Sequence, residues 1–114
     1  MNSKELFVRD TTVIRKSDNL FTAEVSENWR IGNTANGGYS MTLAAKAMSE
    51  YLEHKDPLSI SAHYLDRVDF GTTELHVTHL SSSKSLSTAR VELIQDNKIK
   101  IIFISFIPFI INQK

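Results

Sequence analysis

Residues 32–53, GNTANGGYSMTLAAKAMSEYLE, decide how the rest of this chain is read. A loop bearing Gly32, Gly37 and Gly38 runs into a segment in which Met41, Ala44, Ala45, Met48 and Leu52 recur at three- and four-residue spacing, with Tyr51 on the flank. That period predicts one amphipathic helix. Lys46, Glu50 and Glu53 fall largely on its other side. The alanines let a backbone approach closely, so this helix is expected deep against a curved sheet. Asn36 or a neighbour is expected to cap its start.

Outward from the helix, most patterned segments read as strand. Upstream, FTAEVS places Phe21, Ala23 and Val25 on one face and Thr22, Glu24 and Ser26 on the other, the period of a half-buried strand. Residues 6–16 carry a weaker strand signal in Val8, Val13 and Ile14, and Asp18-Asn19 suits a tight turn. Segments 6–16 and 19–26 therefore predict a hairpin, and 27–36 a loop anchored by Trp29. Downstream, Pro57 ends the helix and opens a strand in which Leu58, Ile60, Ala62, Tyr64 and Val68 form the apolar row. After a turn at Asp69-Phe70-Gly71, residues 72–81 alternate with Leu75 and Val77 on one face. A polar tract, SSSKS, leads to a strand over 86–95 that aligns Ala89, Val91, Leu93 and Gln95. Asp96-Asn97 is a two-residue hairpin without the favoured glycine.

The final segment, 99–111, starts as a strand and loses its alternation from Ile101. A fully buried strand reads this way, and so does one covered by a partner. About the last ten residues are atypical, as a truncated or altered reading frame would also leave them. The order β-β-α-β-β-β-β predicts an α+β fold, a mostly antiparallel sheet wrapped around one central helix.

Composition narrows the function. At 114 residues the chain is expected to form a single domain, 1–114. Thirteen basic and thirteen acidic residues cancel, giving no electrostatic footprint for nucleic acid or an anionic membrane. Without cysteine there is no disulfide framework or thiolate metal site. The N-terminus lacks the apolar core of a signal peptide, and the run IIFISFIPFII is shorter than the roughly 20 residues that span a bilayer. The expectation is a soluble cytoplasmic protein.

NGGYSMTLAAKAMSEYL, then DPLSISAHYLDRVDFGTTELHVTHL, then SKSLSTARVELIQDNK, resemble the thioesterase-like, type II acyl-CoA thioesterase group of hotdog-fold proteins. The resemblance runs from about Phe21 to Phe106 and is closest to the first of that family's two tandem repeats. It implies a hotdog fold, a site between two hotdog units, and hence a homodimer or higher oligomer. It also implies a thioesterase acting on acyl-CoA, with coenzyme A part of the substrate and no separate cofactor. In the family an aspartate, a hydroxyl residue and a glutamine of the second repeat position the attacking water. Here Gln95 holds the matching strand end and Ser59 is the nearest hydroxyl, while Lys46 or Ala47 stands where the aspartate is expected. The alternatives are a non-catalytic hotdog module that binds acyl-CoA or supports assembly, and a remnant of a two-repeat enzyme.

Thioester hydrolysis needs a polarised carbonyl, a positioned water and room for an acyl chain. A helix N-terminus offers free backbone N–H groups to an oxyanion, and Gly37 and Gly38 let a carbonyl approach them. Gly38 and Tyr39 are therefore candidate catalytic positions, with Asn36 and Gly37 beside them on the coenzyme A side; otherwise the glycines only shape a tight turn. His63, on the polar face of its strand, is a candidate base or an exposed sheet residue. Lys84 and Arg90 would meet a coenzyme A phosphate as the resemblance suggests, or are surface charge. Met41, Met48, Tyr39 and Trp29 line an acyl tunnel or plain core. No histidine spacing suggests a metal.

Overall fold

In the computed structural model, which describes residues 1–52, 59–82 and 86–108, the helix runs Gly37–Leu52 (α2) and lies across an antiparallel sheet. Ahead of it come a short helix, Ser3–Asp10 (α1), and strands Ile14–Arg15 (β1), Leu20–Val25 (β2), Arg30–Ile31 (β3) and Thr34–Ala35 (β4). Behind it come Ser59–Tyr64 (β5), Gly71–Ser82 (β6), Leu86–Gln95 (β7) and Lys98–Pro108 (β8). The main sheet has the order β1-β2-β6-β7-β8-β5, and β3 and β4 pair separately. The expected antiparallel sheet around a helix is what forms.

Alternation explains the strands. Ala89, Val91, Leu93 and Gln95 all point inward from β7, and Leu75 and Val77 from β6. Asp96 and Asn97 close the β7–β8 hairpin with φ of 52° and 62°, the left-handed pair a two-residue turn demands and which Asp and Asn tolerate. In the apolar run of β8 alternation is present after all. Ile101, Phe103 and Ser105 are buried, while Ile102 and Ile104 are half-buried and Phe106 is exposed on the opposite face.

The helix buries a wider stripe than its spacing suggested. Ser40, Ala44 and Met48 form one buried row and Tyr39, Leu43 and Ala47 a second, whereas Met41 and Ala45 are half-buried flanks. The reason is a second covering layer. Besides β6 and β7, the helix start meets Trp29 and the short helix α1, whose Phe7 packs edge-on against Trp29 at 4.8 Å and Tyr39 at 6.3 Å.

That layer corrects the hairpin expected over 6–16. Asn2 and Glu5 form a reciprocal capping box and start a helix, leaving only Ile14 and Arg15 to pair with β2. Val8, expected on a strand, is exposed on α1. The expected loop over 27–36 contains a 3₁₀ turn, Glu27–Trp29, and the β3–β4 pair, where Gly32 takes φ 62°. Pro57 lies outside the described residues.

Asp10 ties this layer together. Its carboxylate accepts hydrogen bonds from Arg9 Nε, Asn28 Nδ2 and Trp29 Nε1, each at 3.0 Å, and Tyr39 Oη donates to its carbonyl at 2.8 Å. Burial alone would raise the Asp10 pKa, but bonds from Asn28, Arg9, Trp29 and Ser26 together hold it below 3.8. A depressed folded pKa contributes stability that is present above the unfolded value and lost as pH falls through the folded one. The urea midpoint of the wild type should therefore drop as pH falls below about 3.8. Asp10→Asn should be less stable at neutral pH and show a shallower acid loss. Equal acid slopes for the two proteins would exclude the assignment.

Candidate active site

The start of α2 is capped from its own sequence. Asn36 Oδ1 accepts from Gly38 N at 2.7 Å, and Asn36 O accepts from Ser40 N at 3.0 Å, as an N-cap residue does. Among the described residues the N–H groups of Gly37 and Tyr39 have no recorded partner, so two first-turn donors remain open.

Of the two, Gly37 lines a cleft of about 390 Å³. Its apolar lining comes from Ile31, Ala35, Val68 and Ile101, and Asn36, Gly37, Tyr64, Asp66 and Arg67 add polar groups. Gly37 is matched to this space: a Cβ there would lie 2.7 Å from Tyr64 Oη, so the missing side chain admits the tyrosine over the helix end. Tyr64 is 58% exposed, and its neighbours Leu65 and Ile31 are exposed to a similar degree at 59% and 63%. The Asp66 carboxyl is held below its ordinary range, first by the bond from Arg67 N at 2.7 Å and then by the Lys100 ammonium. Another cleft, of about 330 Å³ around Arg9, Asp10 and Glu24, shares no lining residue with this one.

The structure divides the sequence candidates. Asn36, Gly37, Gly38 and the Tyr39 backbone gather at the helix start. The Tyr39 phenol points elsewhere, accepting from Ser26 N at 3.0 Å and reaching Asp10 O and Glu24 O, with its pKa raised chiefly by burial. Gln95 faces the helix side, but both ends of its amide are engaged. Oε1 accepts from Asp69 N at 2.8 Å, and Nε2 donates to Asp69 O at 2.7 Å. Ser59 and His63 are exposed on the face of β5 opposite Ile60 and Ala62, away from α2. Arg90 stands on the outer face of β7 beside Glu92, 3.8 Å away. Lys84 lies outside the described residues. Among the described residues no three histidine or acidic side chains converge in a metal-binding group.

Tyr64, Asp66, Arg67 and Lys100 were not singled out from the sequence as site residues. The signals were the break of the apolar row at Asp66 and a lysine next to the apolar stretch of β8.

A helix lying across this sheet order, with a glycine start open to a cleft, is the hot dog architecture. The solved structures it matches agree. They include a hot-dog-fold protein of unknown function from Alicyclobacillus acidocaldarius (13% identity, TM-score 0.83, 96% of this chain and 41% of that one). Zebrafish thioesterase superfamily member 2 matches at 14% identity and TM-score 0.76, covering 95% of this chain and 87% of that one. A candidate thioesterase II of Thermobifida fusca YX matches at 24% identity and TM-score 0.85, covering 90% of this chain and 38% of that one. The chain thus spans less than half the length of two of these three proteins. No curated protein sequence matches significantly. Residues 25–109 match the acyl-CoA thioesterase N-terminal domain, and the chain belongs to that family.

The fit of Gly37 against Tyr64 can be tested directly. In Gly37→Ala the obstructing atom is the tip of an exposed side chain, so the fold should tolerate the methyl group, with stability changed by no more than about 1 kcal/mol. The Tyr64 ring should swing from the cleft, which its NMR resonances would report. Unshifted resonances would show that the ring does not sit over Gly37.

Proposed function

We propose that this protein hydrolyses acyl-CoA thioesters at the N-terminus of α2. The observation that carries this reading is the glycine start of α2 opening onto a largely apolar cleft, in a chain of the acyl-CoA thioesterase family. The thioester carbonyl would sit against Gly37, where the open N–H groups of Gly37 and Tyr39 stabilise negative charge on its oxygen. The acyl group would extend along Ala35, Val68 and Ile101. Water adds its oxygen to the carbonyl carbon, the C–S bond breaks, and the thiolate takes up a proton, releasing a carboxylic acid and coenzyme A. Coenzyme A is part of the substrate, and the reaction needs no resident cofactor.

The reading also includes pairing. β5 has a sheet neighbour on one side only among the described residues, and Tyr64, Leu65 and Ile31 expose apolar surface beside it. A second copy joined along that edge would cover this surface and bring further groups to the cleft mouth. Water activation is then shared, since Ser59 and His63 face away from this chain's own cleft and the Gln95 amide is engaged with Asp69.

One observation favours a second reading, an acyl-CoA-binding hot dog unit without turnover: the first turn of α2 carries no carboxylate to activate water. An assay with acyl-CoAs of several chain lengths separates the two. Turnover that falls by about 10²-fold or more in Gly37→Val would support hydrolysis at this site, the magnitude expected for loss of an oxyanion site. Tight acyl-CoA binding with no turnover would establish the second reading. Sedimentation should show a dimer or larger assembly, and a stable monomer would defeat the pairing.

A further inference from the structure

Lys100 occupies an unusual place. In the β7–β8 ladder Leu93 pairs with Ile101 and Ile94 with Ile99, so Lys100 is the extra residue of a bulge. The bulge breaks alternation and buries two successive residues, Lys100 and Ile101, with Lys100 only 6% exposed. Bulges of this kind re-aim a side chain. This one aims an ammonium at the segment that follows β5.

The carbonyl and the ammonium of Lys100 are both used there. Its carbonyl accepts from Leu65 N at 2.9 Å and Asp66 N at 3.1 Å. Its Nζ lies 3.4 Å from Asp69 Oδ2 and 3.7 Å from Asp66 Oδ2. Gln95, across the same hairpin, holds the backbone N–H and carbonyl of Asp69 at 2.8 and 2.7 Å. The far side of the segment is tied to β4, where Thr34 Oγ1 donates to Val68 O at 3.0 Å and accepts from Val68 N at 3.1 Å. Between these ties lie Asp66, Arg67 and Val68, one wall of the cleft at the start of α2. Irregular backbone has no ladder of its own to fix it, so its position depends on such individual bonds.

We propose that Lys100 and Gln95 form a latch from the β7–β8 hairpin that positions residues 65–69 as the substrate-facing wall of the cleft. The inference rests on the cleft being the thioesterase site. It gives Gln95 a positioning role in place of contact with the attacking water. Lys100 acts through Asp66 and Asp69 and touches no substrate. The ammonium is buried while the two carboxylates are half-exposed, so it is Lys100 that is left uncompensated when the aspartates are removed. A wall held before substrate arrives spares the ordering of that wall on binding, so the latch should show in KM more than in kcat.

Lys100→Met retains the apolar stem and removes the charge. In the full-length protein, hydrogen exchange at the Leu65, Asp66 and Asp69 amides should accelerate by at least about tenfold, while the Val91 and Phe103 amides exchange as in the wild type. KM for an acyl-CoA should rise by about tenfold or more, with kcat within about threefold. If Lys100→Met fails to fold, Asp69→Asn cuts the closer ion pair through a half-exposed side chain that does not line the cleft, and should give the same two results. Unchanged exchange at the three amides would overturn the latch, and so would faster exchange with KM and kcat unaltered. A wild type that turns over no acyl-CoA defeats the thioesterase reading, and the exchange comparison then decides the latch alone.

Discussion

The close approach of α2 to the sheet is the constraint on which the rest of this structure depends. Ala44 and Ala47 present almost no side chain, so the helix axis can settle near β6 and β7, and Leu43 and Met48 fill the space on either side. Each large side chain fully buried in this contact contributes roughly 1.5–3 kcal/mol, and a bulkier residue at either alanine would push the helix outward. The inward rows of the strands are the counterpart: Phe21 from β2, Leu75 and Val77 from β6, Val91 and Leu93 from β7, and Ile101 and Phe103 from β8. The cleft lies at the first turn of the helix, where Gly37 joins Ile31, Ala35, Val68 and Ile101 in the lining.

The hinge between fold and chemistry is therefore the run from Ala35 to Tyr39. Ala35 belongs to β4, Asn36 caps, Gly37 leaves room for Tyr64, and Tyr39 fixes the rotation of α2 through a phenol bonded to three backbone groups. A tyrosine so anchored prevents the helix from turning about its axis, which would otherwise carry Gly37 away from the cleft. Asp10 is the far end of this arrangement. By receiving Trp29, Asn28 and Arg9 it holds α1 and the 3₁₀ turn over the helix start.

The strands were legible in the sequence wherever one face meets the core and the other does not, because a period of two records that difference in every residue. β7 is the clearest case, with Ala89, Val91, Leu93 and Gln95 inward. The resemblance and the helix spacing together located α2. What was not legible lacks such a period. α1 is set by a capping box of two residues, Asn2 and Glu5, and buries no residue fully, so it has hardly any apolar pattern to read. The second buried row on α2, Tyr39, Leu43 and Ala47, exists because α1 and Trp29 add a layer, and no local spacing announces a layer supplied from elsewhere in the chain. In the site, the glycines were readable as a helix start. Their cleft was not, since its wall is irregular backbone whose place is set by Lys100, and a bulge is invisible until the ladder is paired.

Gln95 shows why position on a strand does not settle a role. Its place at the end of an inward row brings an amide toward the helix side, which is what a water-orienting group requires. An amide has one donor end and one acceptor end, and here the backbone of a single residue, the N–H and carbonyl of Asp69, satisfies both. Freeing that amide for water would break both of its bonds to the Asp69 backbone, each worth roughly 0.5–1.5 kcal/mol net. The residue that faces the right way is thus held by the loop beside the cleft, and what it positions is that loop.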